Sequence, residues 1–208
     1  MKMIKLHWDA GATLTTAVGE RNHVHFFSAN SPRVPDSFAI TAKSGISATY
    51  YSNYLSNAPG KYFRYTVYGC KATVKVILST PNAYARVYCG FCDAGNAGVI
   101  SPTTTFPSTI ASMPMVQGKT IESLGDARVV YFSQYCDLRH LTGSSKLEYN
   151  SDPNNKAVHS AVPVNSLEFF IGAGQFDDGV ITSFFSLGLQ FAYEIRLEYF
   201  CGLDELNN

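Results

Sequence analysis

Charge is scarce in this chain. Lys+Arg and Asp+Glu number 16 each, for a net charge of zero, and charged residues make up 15% of the 208 residues. An ordinary soluble domain carries ~25%. Without a basic excess, a single copy has no general affinity for nucleic acid. Disorder is excluded too, because 46% of the residues are hydrophobic and the net charge is nil. A neutral surface offers little mutual repulsion and favours association.

Long apolar runs are also missing. None reaches the ~18 to 20 residues that span a bilayer, so no membrane span is expected. Met1 to Asp9 holds no apolar stretch ahead of a cleavage site, which speaks against a secretory leader. No Asn-x-Ser/Thr sequon occurs. The cysteines are Cys70, Cys89, Cys92, Cys136 and Cys201. An odd count in a chain of this length points to free thiols in a reducing compartment.

Catalytic motifs are sparse as well. There is no Gly-x-Ser-x-Gly elbow and no Gly-rich phosphate loop. Cys89-Gly90-Phe91-Cys92 has redox or zinc spacing, but it lies in an alternating segment. That places the two thiols on opposite faces, and no second pair exists to complete a zinc site. His23-Val24-His25 puts two imidazoles on one face, as metal-binding cupins do, yet no acidic residue follows before Asp36. A polar strand face or an interface contact is the expectation there. Glu194, Arg196 and Glu198 alternate on one face and suit cross-strand ion pairing better than acid/base work. No enzyme activity, cofactor or metal is expected.

What the chain does have is a period of two, with 13 Tyr and 14 Phe. From Gln190 to Gly202, Phe191, Tyr193, Ile195, Leu197, Tyr199 and Cys201 share one face. Tyr62 to Leu78 predicts a second long strand. Its phase flips at Gly69, from Phe63, Tyr65 and Val67 to Cys70, Ala72, Val74, Val76 and Leu78, the mark of a β-bulge. Tyr84 to Asp93 follows after Ser79-Thr80-Pro81-Asn82, a connection short enough for a hairpin. Further strands are expected at Asn22–Ala29, Ser37–Ala42, Ala127–Cys136, Leu167–Ala173 and Val180–Ser186, the last two joined by a turn at Asp177-Asp178-Gly179. Ser47–Ser56 suits a short helix. The result is one all-β domain of about eight antiparallel strands, with long loops that suit a jelly-roll sandwich better than an up-and-down barrel.

The stretches Ala94–Asp126 and Asp137–Asn165 lack periodicity. Together with Ser44–Gly60 they read as long functional loops. Their apolar residues, with Tyr50, Tyr51, Tyr54, Phe106, Ile110, Met113 and Met115 foremost, are expected at contacts between copies of the chain. Basic and aromatic residues that repeated copies could turn toward a polyanion are Lys2, Lys5, Trp8, Arg21, His23, His25, Lys71 and Lys75. Scattered solubilising charges and one anchoring Trp are the plainer reading of the same residues.

The strand order resembles a particular family. Lys61-Tyr62-Phe63-Arg64-Tyr65 opens the long strand, and the next strand ends in Cys92-Asp93-Ala94-Gly95. Arg128-Val129-Val130-Tyr131-Phe132 follows a long loop. Leu167–Ala173 and the terminal strand ending Glu198-Tyr199-Phe200 complete the pattern. Across residues 23–203 this is similar to the capsid proteins of circovirus-like viruses, which have circular single-stranded DNA. The resemblance implies an eight-stranded jelly roll in a T=1 icosahedral shell of about 60 copies. It also implies enclosed viral single-stranded DNA, a host-cell receptor as partner, and a virion location after assembly in the nucleus or cytoplasm. Residues 1–21 would be an N-terminal arm facing the interior. Family members carry an Arg-rich arm, whereas residues 1–40 here hold only Lys2, Lys5, Arg21 and Arg33. A secreted lectin-like or cytokine-like jelly-roll module forming a small oligomer is the alternative for the same strands.

Overall fold

A computed structural model describes residues 2–15, 22–32, 35, 62–80, 83–93, 95–96, 109–110, 112–123, 128–158, 161–175 and 189–205. Its strands are β1 (Lys2–Thr15), β2 (Asn22–Ser28), β3 (Tyr62–Leu78), β4 (Ala83–Asp93), β5 (Val116–Ser123), β6 (Arg128–Asp137), β7 (Lys156–Val158), β8 (Leu167–Gln175) and β9 (Gln190–Glu205). Two short helices, α1 (Arg139–Thr142) and α2 (Lys146–Ser151), lie between β6 and β7.

The pairing is nested and antiparallel. β1 pairs with β9, β2 with β8, β3 with β6 and β4 with β5. The chain therefore runs out through four strands and returns beside itself, like one long hairpin rolled up. Rolling adds the β3–β9 and β4–β8 ladders and divides the strands into two sheets, β1-β9-β3-β6 and β2-β8-β4-β5, with β7 on the side of β3. This is the jelly-roll sandwich.

The core between the sheets comes from the period-two faces. Cys70, Ala72, Val74, Val76 and Leu78 of β3 and Phe191, Ile195, Leu197 and Tyr199 of β9 meet Ala85, Val87 and Phe91 of β4 and Phe169, Ile171 and Ala173 of β8. The bulge lies where the phase flips. Val67 faces Cys201 and Gly69 faces Phe200, so Tyr68 is the extra residue and the same physical side stays inward.

β8 differs from the half-wet strands. Leu167 to Gly174 is buried at every position. Its second face packs a smaller cluster of Val24, Tyr88, Cys92, Ile110 and Phe170, with Phe26, Met113 and Val116 alongside. A strand covered on both sides reads as a continuous apolar run, as Phe169-Phe170-Ile171-Gly172-Ala173 does.

Several expectations change. β3 and β4 are not a hairpin, because they lie in different sheets. A four-residue connection spans ~13 Å, enough to cross the ~10 Å between packed sheets, and alternation alone cannot tell crossing from pairing. Residues 2–15, read as part of an arm, form a strand paired with β9 along its whole length. The loop assigned to Ala94–Asp126 contains β5, and Asp137–Asn165 contains α1, α2, a 3-10 turn at Pro153–Asn155 and β7. The strands expected at Ser37–Ala42 and Val180–Ser186, the helix at Ser47–Ser56 and the turn at Asp177-Asp178-Gly179 lie outside the described residues.

Local chemistry explains the described residues between β6 and β8. Ser145 caps α2 by accepting from Glu148 N, while the Glu148 side chain accepts from Ser145 N at 2.7 Å. Gly143 closes α1 at φ +65°, where a side chain would be strained. Tyr149 is fully buried and donates to Val67 O at 2.9 Å. Asn165 donates to Asp152 and Asn155, and Asn30 donates to Asn165 O. These bonds tie the connection to the end of the sandwich.

Candidate functional site: the outer face of the long-strand sheet

The residues that alternate away from the core of β1, β9, β3 and β6 form one broad outer face. β1 supplies Met3, Lys5, His7 and Asp9, and β9 supplies Glu194, Arg196, Glu198 and Phe200. β3 supplies Lys71, Thr73 and Lys75, and β6 supplies Val129, Tyr131, Ser133 and Tyr135. Register places opposite charges on neighbouring strands. Lys5 Nζ lies 2.8 Å from Glu198, Lys75 Nζ 3.3 Å from Glu194 and Arg196 3.8 Å from Asp9, and within β9 Arg196 also lies 3.7 Å from Glu198. Lys5 above all, then Lys71 and Arg196, holds the Glu198 carboxyl below the usual carboxylate range. The expected cross-strand ion pairing of Glu194, Arg196 and Glu198 is therefore present.

This bears directly on the residues proposed for polyanion contact. Lys5 and Lys75 are matched to carboxylates, and Lys71 lies in register with Glu198. Lys2 is exposed at the start of β1. Trp8 is 4% exposed, packed in the core at 5.8 Å from the Phe27 ring, and so is not placed to stack on a base. Its position in β1 alternates with Leu6 toward the sandwich interior. His25 is buried rather than on a polar face. Its Nδ1 lies 2.7 Å from the Tyr193 hydroxyl across the two sheets, and the His23 ring is 5.5 Å away. Arg21 lies outside the described residues. Among the described residues, no group of three or more His, Cys, Asp or Glu is arranged to hold a metal.

The thiols are buried. Cys89 faces the main core and Cys92 the smaller cluster, on opposite sides of β4 as the spacing predicts. Burial pushes Cys89, Cys92 and Cys136 up to about 12, and Cys70 and Cys201 upward as well. Lys119 pulls Cys89 the other way, but burial outweighs it, so the thiol is not activated as a redox motif requires.

The residues expected at subunit contacts divide. Ile110 is fully buried beside Tyr88 and Phe170 of its own chain, so it has no surface left for a neighbour. Met113 packs half-buried on the same cluster. Met115 sits at φ +62° where β4, β5 and β6 converge. Its carbonyl accepts from Gln134 Nε2 at 2.7 Å and from Phe91 N at 3.3 Å, and Cys136 Sγ lies 3.8 Å from its sulfur. A loop over a sheet buries its own apolar side chains first, and composition does not separate that from burial by a neighbour. Tyr50, Tyr51, Tyr54 and Phe106 lie outside the described residues.

The apolar residues that do stand in the open were not singled out. Tyr131 is 61% exposed, Tyr135 55% and Val129 41%, in a row on the outer face of β6. The signal was present in Val129, Tyr131, Ser133 and Tyr135, an outward alternation with no charge. Alternation alone does not say which side of a strand faces out.

No family model matches the sequence, and no curated protein matches it. Solved structures of viruses are similar to it. Desmodium yellow mottle tymovirus is 12% identical, covering 99% of this chain and 91% of that chain, at a TM-score of 0.35. The semi-empty virus-like particle of the nodavirus of the giant freshwater prawn Macrobrachium rosenbergii is 13% identical, covering 100% and 98%, at 0.39. Sacbrood virus of honeybee is 12% identical, covering 98% and 73%, at 0.41. The jelly-roll fold rests on the nested strand pairing.

Proposed function

We propose that this chain is a viral coat protein whose sandwich is a rigid brick in a closed shell. The observation that carries the reading is the complete nested pairing of the jelly roll, joined to a surface that invites association. A fold hosts many functions, so the surface must discriminate. Here net charge is zero, most charges on the outer face of the long-strand sheet are matched in ion pairs, and large apolar side chains at Met3, Tyr131, Tyr135, Leu147, Val162 and Val164 stand exposed. A solitary chain leaves these in water, and a neighbour removes them from it.

The finer reading is a T=1 shell of about 60 copies around single-stranded DNA, as in circovirus-like viruses, with residues 1–21 toward the interior. The sequence resemblance supports this. Electron microscopy and light scattering of the purified chain over a range of salt and pH test it. Uniform hollow particles are expected, and nuclease digestion of the nucleic acid they enclose identifies the cargo. A monomer under every condition overturns the coat-protein reading. A trimer or other small oligomer favours the binding-module alternative.

A further inference from the structure

The uncharged outer stripe of β6 has the makings of the centre of an interface. Val129, Tyr131, Ser133 and Tyr135 succeed one another outward with no charge between them, and the first charges are Arg128 and Asp137 at the two ends of the strand. Cores of interfaces are depleted of charge and enriched in tyrosine. Together Tyr131 and Tyr135 expose a little more than one whole tyrosine side chain, ~200 Å². That is a fraction of the ~800 Å² that each partner gives to a stable contact. The stripe therefore suits the anchor of a larger patch, with the ion-paired strands beside it as the polar rim.

The stripe is also held in place before any partner arrives. Tyr135 lies against Phe200 with ring centroids 5.7 Å apart, over Gly69, where an added Cβ would collide with its ring. Lys119 of β5, in the other sheet, donates to Tyr131 O at 2.6 Å, and Gln134 Nε2 donates to Met115 O. The same lysine lies 5.0 Å over the Phe132 ring on the inward side. These cross-sheet bonds fix the edge of β6 and occupy a carbonyl that an added strand would need. The partner must therefore meet side chains rather than extend the sheet. Tyrosines fixed in this way lose little freedom on binding.

Charge decides what the partner is. A single-stranded nucleic acid could stack on two tyrosines, but stacking platforms stand in positive grooves. Here β3, the strand beside the stripe, presents Lys71 and Lys75, but the next strand answers each of them: Lys75 is paired with Glu194 and Lys71 lies in register with Glu198, while Lys5 and Arg196 are matched to Glu198 and Asp9. A surface of alternating sign complements another of alternating sign, and this chain carries one.

We infer that the β6 stripe of Val129, Tyr131 and Tyr135 is the anchor of a contact with a second copy of this chain, made face to face through side chains. The inference rests on the reading of the chain as a self-assembling protein and assigns that assembly a surface.

The test compares the wild type with Tyr131→Ser/Tyr135→Ser by sedimentation and electron microscopy across a concentration series. Tyr84→Ser is the control, because it removes an exposed tyrosine from the other sheet. The double variant should raise the concentration needed for assembly at least tenfold while its thermal unfolding as a dissociated chain is unchanged. Tyr84→Ser should assemble like the wild type. Equal assembly of the double variant overturns the inference. So does a double variant that assembles normally but loses binding of a fluorescent oligothymidylate, which would make the stripe a base-stacking surface. If the wild type forms only a small oligomer, and the double variant dissolves it, the contact stands and the closed shell does not. A wild type that never associates overturns both.

Discussion

Gly172→Ala offers a sharp test of the packing on the second face of the β2-β8-β4-β5 sheet. Tyr88 sits in register between Gly118 of β5 and Gly172 of β8. Its ring lies over Gly172. A Cβ there would stand 2.5 Å from Cζ and 2.7 Å from Oη, and nearer still to Cε2. The ring has no room to retreat, since it is fully buried against Phe170, Val24, Cys92 and Ile110. Two effects compete. Alanine in a strand is favoured over glycine by ~0.5–1 kcal/mol. Overpacking a filled core costs ~1–3 kcal/mol. The second wins, for a net loss of about 1–2 kcal/mol, which lowers Tm by ~2–8 °C in a chain of this size. Tyr88→Leu removes all three atoms that the new methyl would strike. In that background Gly172→Ala should instead stabilise by ~0.5–1 kcal/mol. Urea unfolding of the dissociated chain measures both, with Trp8 as reporter, since it is the one tryptophan and lies in the core. The reversal of sign is the critical result. Equal effects of Gly172→Ala in the two backgrounds would refute the account of Tyr88.

Further outcomes are expected. Tyr88→Phe should stabilise by about 1 kcal/mol in the same assay, because the Tyr88 hydroxyl is buried with no hydrogen-bond partner among the described residues. The five thiols should resist an aromatic disulfide reagent at pH 8 until the chain unfolds, when all five react. Three of them are held at about 12 by burial. Because the folded state keeps these protons, their contribution is complete below pH ~8.5 and declines as pH rises toward 12, so urea midpoints should fall across that window. Ser145→Ala should cost ~0.5–2 kcal/mol by removing one half of the capping box, whereas Lys75→Ala should cost under ~1 kcal/mol because its pair with Glu194 is exposed. Both are read by thermal melts.

Much of the sheet framework was legible because strand alternation is a local property. The limits of β3, the bulge beside Gly69, the two-sided placement of Cys89 and Cys92, and the ion-paired face of β9 all follow from which neighbours are apolar. The class of fold, an antiparallel jelly roll, was within reach for the same reason. Partnership was not. β3 and β4 look like a hairpin, yet each finds its neighbours far along the chain, β3 in β9 and β4 in β8. β5 hid in a stretch of Gly, Thr and Gln, and β1 in what read as an arm, because an edge strand needs only one ladder to hold it. Burial by the chain's own loop sent Ile110 into the core, and only the outward side of β6 brought Tyr131 and Tyr135 forward. Period and residue type state which side of a strand seeks cover. The meeting of distant segments decides whether that cover comes from the same chain or is left for another.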